Sequence, residues 1–207
     1  MLSPRIRRLK VDYESLLQRF AGSPVIRIAG TAGMPPEIYR FQYNLRGLYV
    51  GANGAILERN EHLLEVNLTL GYPRRAPQCR MLTPVFHPNF DDSTVCIGDF
   101  WAASEGLDDL IIRIGRMIAY QEFNTKSPLN GIAARWAAQN ANLLPVDSRA
   151  VAPPLDGAPQ AAPPPPASAQ PVAEASPAPL QPIADTSVPA VADSPEADPW
   201  EQKIVIS

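Results

Sequence analysis

Residues 72–101, YPRRAPQCRMLTPVFHPNFDDSTVCIGDFW, decide how the rest of this chain is read. The stretch holds both cysteines, Cys79 and Cys96, and one of the two histidines, His87. Beyond Leu82 it keeps neither the two-residue period of a strand nor the 3.6-residue period of a helix. A loop this long inside a domain is usually functional or disordered. Met81, Leu82, Val85, Phe86, Phe90, Val95, Ile97, Phe100 and Trp101 make it too apolar to stay in water. The expectation is an ordered, packed, irregular segment presenting Cys96 a few residues beyond His87-Pro88-Asn89.

On the C-terminal side, Leu107, Leu110, Ile111, Ile114, Met117 and Ile118 predict a helix over residues 107–120. Asp108 and Asp109 suit the positive end of its dipole. Ser127-Pro128 predicts the start of a last helix, with Ile132, Ala133, Trp136 and Ala137 inward. On the N-terminal side, residues 38–45 and 62–70 alternate apolar with polar, and residues 25–29 and 78–82 are shorter strand candidates. Gly47, Gly51, Asn53 and Gly54 read as turns around Leu48-Tyr49-Val50. His62, at a strand start, is expected half-exposed. Cys79, in a strand, is expected to pack. The chain opens with an amphipathic helix over residues 4–20, capped by Ser3-Pro4. Its apolar stripe is Ile6, Leu9, Tyr13, Leu16, Leu17 and Phe20. The fold class is α+β: an N-terminal helix, a four-stranded antiparallel meander, the long loop, then two helices.

Of the 24 prolines, 15 lie at or beyond Pro145, in a stretch that is mostly Ala, Pro, Ser and Val. Such a composition cannot bury enough apolar surface to offset chain entropy. The expected organisation is a folded domain over 1–144, a disordered linker over 145–198 and a C-terminal docking peptide over 199–207, containing Trp200 and Ile204-Val205-Ile206. Residues 1–144 carry 16 basic and 13 acidic residues, and residues 145–207 carry two and eight. A mildly basic domain with an acidic tail does not have the concentrated basic face of a nucleic-acid binder. MLSPRIRRLK lacks the apolar segment of a signal peptide, and no run of 18 apolar residues is present. A cytoplasmic location follows as the expectation, with both thiols free and no membrane contact. Two cysteines and two histidines without paired ligand spacing predict no metal and no cofactor. Fifteen Arg against three Lys, with abundant Ala and Pro, suggest a GC-rich bacterial genome.

Tyr72-Pro73 and Pro77, then His87-Pro88-Asn89, a cysteine shortly after, a Trp and two helices, all in this element order, resemble the ubiquitin-conjugating enzymes over residues 4–142. The chemistry of the residues is consistent with that. Passing an acyl group between partners needs a nucleophile that is also a good leaving group, and a thiolate is both. The resemblance implies that Cys96 accepts a ubiquitin-like protein as a thioester and passes it to an amine on a target protein. It implies that Asn89 stabilises the oxyanion or holds the loop, that His87 is structural rather than a base, and that Ser127 orients the incoming amine with Asn124 nearby. It implies partners: an activating enzyme docking on Arg5, Arg7, Arg8 and Lys10, a ubiquitin-like protein and a target.

Three departures from the family bear on a further partner. Arg74-Arg75 stand where an apolar ligase-docking residue is usual. Ala103-Ser104-Glu105-Gly106 replace the second docking turn. Gly98 stands where an aspartate is usual, with Asp99 after it. These argue against a RING- or HECT-type ligase and fit a minimal bacterial system, with antiphage defence as an analogous setting. Two rival readings remain: a non-catalytic module of the same fold that binds a ubiquitin-like protein, and a cysteine hydrolase using His87.

Overall fold

The computed structural model describes residues 3–97 and 101–153. Ser3 accepts the Ile6 N–H and starts helix α1, Pro4–Phe20. A four-stranded antiparallel sheet follows, ordered β1 (Ile26–Gly33), β2 (Pro36–Val50), β3 (Ile56–Asn67) and β4 (Gln78–Met81). Helix α2 (Leu107–Ile118), helix α3 (Gly131–Gln139) and a 3₁₀ turn, Ala141–Leu143, complete the order. This is the α+β architecture that the sequence predicts.

The period-two pattern divides the sheet into a dry and a wet face. Ile26, Tyr39, Phe41, Tyr43, Leu64, Val66 and Cys79 are buried in one core with Leu9, Leu16 and Phe20 of α1 and the apolar side of α2. On the other face Arg40, Glu65 and Arg80 pair across β2, β3 and β4, and the Glu65 carboxylate accepts from both guanidiniums at 3.1 and 2.7 Å. A second apolar cluster, Leu48, Phe86, Tyr120, Ala133, Ala137 and Val146, sits where α3 meets the loop.

Several elements run differently from their sequence patterns. Gly47 does not end a strand: β2 runs on to Val50, with a register shift between Asn44 and Gly47. A Cβ at Gly47 would lie 2.8 Å from both the His62 ring and Ile118, so glycine is required there by close packing. That packing leaves His62 1 % exposed rather than half-exposed, and burial lowers its pKa to about 4. Helix α3 begins at Gly131, not at Ser127-Pro128, because Asn130 caps it by accepting the Ala133 N–H.

The packed chain also runs past Pro145, where the linker was expected to begin. Val146 and Val151 are buried, and Val151 fills the notch left by Gly115 on α2, where a Cβ would meet it at 2.6 Å. Asp147 accepts the Arg46 N–H at the β2 bulge, and Arg149 donates to Asn44 O. Burial opposes ionisation of Asp147, but hydrogen bonds from Arg149 and the Arg46 N–H prevail and hold it at about 2. Composition could not reveal this strap, because a few specific contacts hold it in place. The rest of the expected linker, and the peptide over 199–207, lie outside the described residues.

Candidate active site

Cys96 stands at the end of a tight turn. Phe90 and Val95 form an isolated antiparallel bridge. Between them the Asp91 carboxylate accepts the Ser93 and Thr94 N–H groups at 2.7 Å each, closing the turn in the way Asp favours. Val95 is buried and donates its N–H to Cys79 O at 2.9 Å, which hangs the turn on β4. The next residue, Cys96, is half-buried, and its N–H donates to Asn89 O at 2.8 Å. Backbone pairing therefore brings Cys96 and Asn89 together. Cys79 is different: it is buried, and burial pushes its thiol up to about 12. That makes it an inert core residue.

His87 is fully buried, and its Nδ1 accepts the Asn89 N–H at 3.1 Å. Its ring meets Phe90 and Tyr120 edge-on, with centroids 4.9 and 4.6 Å away. Burial drops its pKa to about 3, so the imidazole is neutral at physiological pH. With Nδ1 occupied by its own loop it organises the motif and is not free to act as a base. Asn89 is nearly buried, and its Oδ1 accepts the Asn124 N–H at 2.9 Å. That bond assigns the carboxamide's orientation and leaves its NH₂ as the uncommitted end.

The facing wall is the loop from 120 to 130. It is tied to the motif at three points: Tyr120 hydroxyl to Phe86 O at 2.7 Å, Asn124 N–H to Asn89, and Asn130 N–H to Pro88 O at 3.0 Å. Asn124 works through its backbone, because its side chain accepts the Lys126 N–H in a local turn. Ser127 is exposed, midway between the ties at Asn124 and Asn130. Tyr120 and Asn130 have no sequence signal for this role. A tyrosine at the end of an apolar helix reads as core, and an Asn before a Gly reads as a turn or cap.

At the other end of the long loop, two of the four basic residues on α1 prove to be internal. Arg8 binds the Asp12 carboxylate with its Nε at 2.8 Å, and its other nitrogens reach Tyr72 Oη and the Ala103 and Glu105 carbonyls. The Tyr72 hydroxyl donates to Asp12 at 2.6 Å. Arg5 pairs with Glu37 and donates to Leu68 O and Thr69 O. These contacts bolt α1 onto the two loops, and partners so distant in sequence explain why the helix pattern alone did not reveal them. Arg7 and Lys10 are the exposed members of the four. Arg74 and Arg75 are exposed in the neighbouring loop, and the Trp101 indole donates to Pro73 O. Gly98 and Asp99 lie outside the described residues.

A helix, a four-stranded antiparallel meander and further helices, in this order, make a ubiquitin-conjugating type of α+β fold. Residues 36–145, more than half of the chain, match the family model described as ubiquitin-conjugating enzyme, and the protein belongs to that family. Among solved structures it is similar to a Trypanosoma cruzi protein assigned as a ubiquitin conjugating enzyme. The two share 21% identity over 68% of this chain and 92% of that one, with a TM-score of 0.48. Among the described residues no cluster of His, Cys, Asp or Glu could hold a metal ion, and no helix is long and apolar enough to cross a membrane.

Proposed function

We propose that this protein is a conjugating enzyme working through a thioester on Cys96. In the first step the Cys96 thiolate attacks the thioester joining the modifier's C-terminus to an activating enzyme. A carbon–sulfur bond forms to Cys96, the bond to the activating enzyme's cysteine breaks, and that cysteine leaves as a thiolate. In the second step an uncharged amine of the target attacks the same carbonyl. The tetrahedral oxyanion collapses, a carbon–nitrogen bond replaces the carbon–sulfur bond, the Cys96 thiolate leaves and the amine's proton passes to water. The Asn89 NH₂ stabilises the oxyanion, a contribution worth about 10²–10³ in rate for one such donor. Ser127 and the loop around Asn124 orient the amine. With a serine there, activation rests on positioning and desolvation of the amine rather than on sharing its charge.

The observation that carries this reading is the Asn89–Cys96 backbone pair, with the Asn89 side chain fixed by Asn124. The buried, neutral His87 weighs against a hydrolase, which would need it as a base. Arg7 and Lys10 are the contacts for the activating enzyme. Basic Arg74 and Arg75, in place of an apolar docking residue, support a system without a RING- or HECT-type ligase. Composition supports a bacterial setting, and a cytoplasmic location and, by analogy, antiphage defence are the setting we assign with it.

The test mixes the protein with an activating enzyme, ATP and a ubiquitin-like protein, and separates products with and without reductant. A reductant-sensitive adduct lost in Cys96→Ala is expected, and Cys96→Lys should give a reductant-stable adduct. If a competent activating enzyme yields no adduct, the protein is a non-catalytic module that binds the ubiquitin-like protein.

A further inference from the structure

Tyr120 is, among the described residues, the one non-glycine residue with a positive φ, at 57°. That region is strained for a bulky side chain and persists where surrounding contacts over-determine it. The contacts here come from two sides. Toward the site, the Tyr120 hydroxyl is buried and donates to Phe86 O, the residue before His87, and its ring meets His87, Phe123 and Trp136 at centroid distances of 4.6, 5.8 and 6.1 Å. Away from the site, both of its chain neighbours are held by the strap. Ala119 O accepts the Val146 N–H at 3.0 Å, and the Gln121 carboxamide donates to Asp147 O and Arg149 O at 2.9 and 2.8 Å.

Four residues on from Tyr120, the Asn124 N–H grips the Asn89 side chain. The path from strap to Asn89 is therefore short: hydrogen bonds join residues 146–149 to 119 and 121, the Tyr120 hydroxyl reaches Phe86 on one branch, and on the other the chain itself leads to Asn124 and its bond to Asn89. We propose that Tyr120 is a positioning residue for amine transfer. Its hydroxyl and its left-handed backbone set the register of the 120–124 segment against residues 86–89, so that the Asn124 N–H meets Asn89 and aims its NH₂ at the Cys96 thioester. The strap locks that register.

The inference rests on the thioester reading, and it makes a claim that reading does not. Charging of Cys96 by an activating enzyme does not depend on the aim of Asn89, whereas discharge to an amine does. The test uses the full chain, loaded with a ubiquitin-like protein and chased with free lysine in single turnover. Tyr120→Phe keeps the ring and removes one hydrogen bond. Discharge is expected to slow about tenfold, the scale of a small misplacement of a catalytic group, with charging changed less than twofold. In an Asn89→Ala background Tyr120→Phe should add less than twofold, because the residue it positions is gone. Gln121→Ala, which loosens the strap without touching the motif, should slow discharge about threefold, again sparing charging. Equal slowing of charging and discharge, or full additivity with Asn89→Ala, overturns the positioning role and makes Tyr120 a core residue. Absence of any thioester on the wild-type chain instead overturns the thioester reading, and this inference with it.

Discussion

The two ends of the long loop are fastened by different physics. At Tyr72 and at residues 103–105, the fasteners are charged: Arg8 and Asp12, with Tyr72 between them, join α1 to both loops. At His87 to Cys96 the fasteners are mostly neutral: backbone pairs, a carboxamide, an uncharged imidazole and three aromatic rings, with one carboxylate, Asp91, closing the exposed turn. On the proposed thioester mechanism, a site that binds a developing oxyanion benefits from a surrounding shell whose dipoles are fixed. The Tyr72 end, where no chemistry is proposed, has no such requirement and can use ion pairs, which are strong when half-buried and directional when bidentate. The contrast teaches that one irregular segment can be held mainly by ion pairs at one end and mainly by neutral groups at the other.

The largest expected effect is on the neutral end. Cys96→Ala should abolish the reductant-sensitive adduct altogether on the gel. Asn89→Ala should leave charging in place and reduce discharge about 10²–10³-fold in single-turnover assays. If it reduced charging equally, the asparagine would be a loop support rather than an oxyanion donor.

The charged end should break through stability. Asp12→Ala leaves the Arg8 Nε and the buried Tyr72 hydroxyl without their acceptor. A loss of about 3 kcal/mol is expected from urea unfolding, with added salt recovering little of it because the pair is mostly buried. A loss under about 1 kcal/mol would reduce this network to an ordinary surface ion pair.

Acidification probes the neutral end in a different way. His87 and His62 titrate at about 3 and about 4 when folded, against an ordinary 6.5. Below that ordinary value the unfolded chain takes up protons and the folded chain does not. Their contribution is therefore complete above about pH 6.5 and is lost as pH falls toward 4. By pH 5 each should cost about 2 kcal/mol. A urea midpoint unchanged between pH 7 and pH 5 would show that the two rings are not held neutral. The smallest effect belongs to exposed cations. Arg7→Glu with Lys10→Glu should slow charging several-fold with stability unchanged, and more strongly at low ionic strength.

Periodicity was enough to read the element order, the dry face of the sheet and the irregular loop between β4 and α2. Those features depend on patterns local to each segment, such as Tyr39, Phe41, Tyr43 and Leu45 alternating along β2. Cys96 was legible as a candidate from its residue type and its place in the irregular loop, and Asn89 through the family resemblance. Asn124 and Ser127 were legible only through the family resemblance. The backbone pair that joins Cys96 to Asn89 was not legible, and neither was the use of Asn124 through its N–H rather than its side chain.

By itself, then, the sequence determined the α+β class, the position of the thiol and the basic first helix. Only the tertiary structure decided which of those basic residues turn inward, that His62 is buried against Gly47, that residues 145–153 lie on the core and that Tyr120 faces His87. In each case the deciding partner is distant in the chain: Ala103 and Glu105 for Arg8, Arg46 and Asn44 for the strap, Phe86 for Tyr120. A local pattern records which side of an element is apolar. Which polar group it will meet is settled only when the elements pack and every buried donor must find an acceptor.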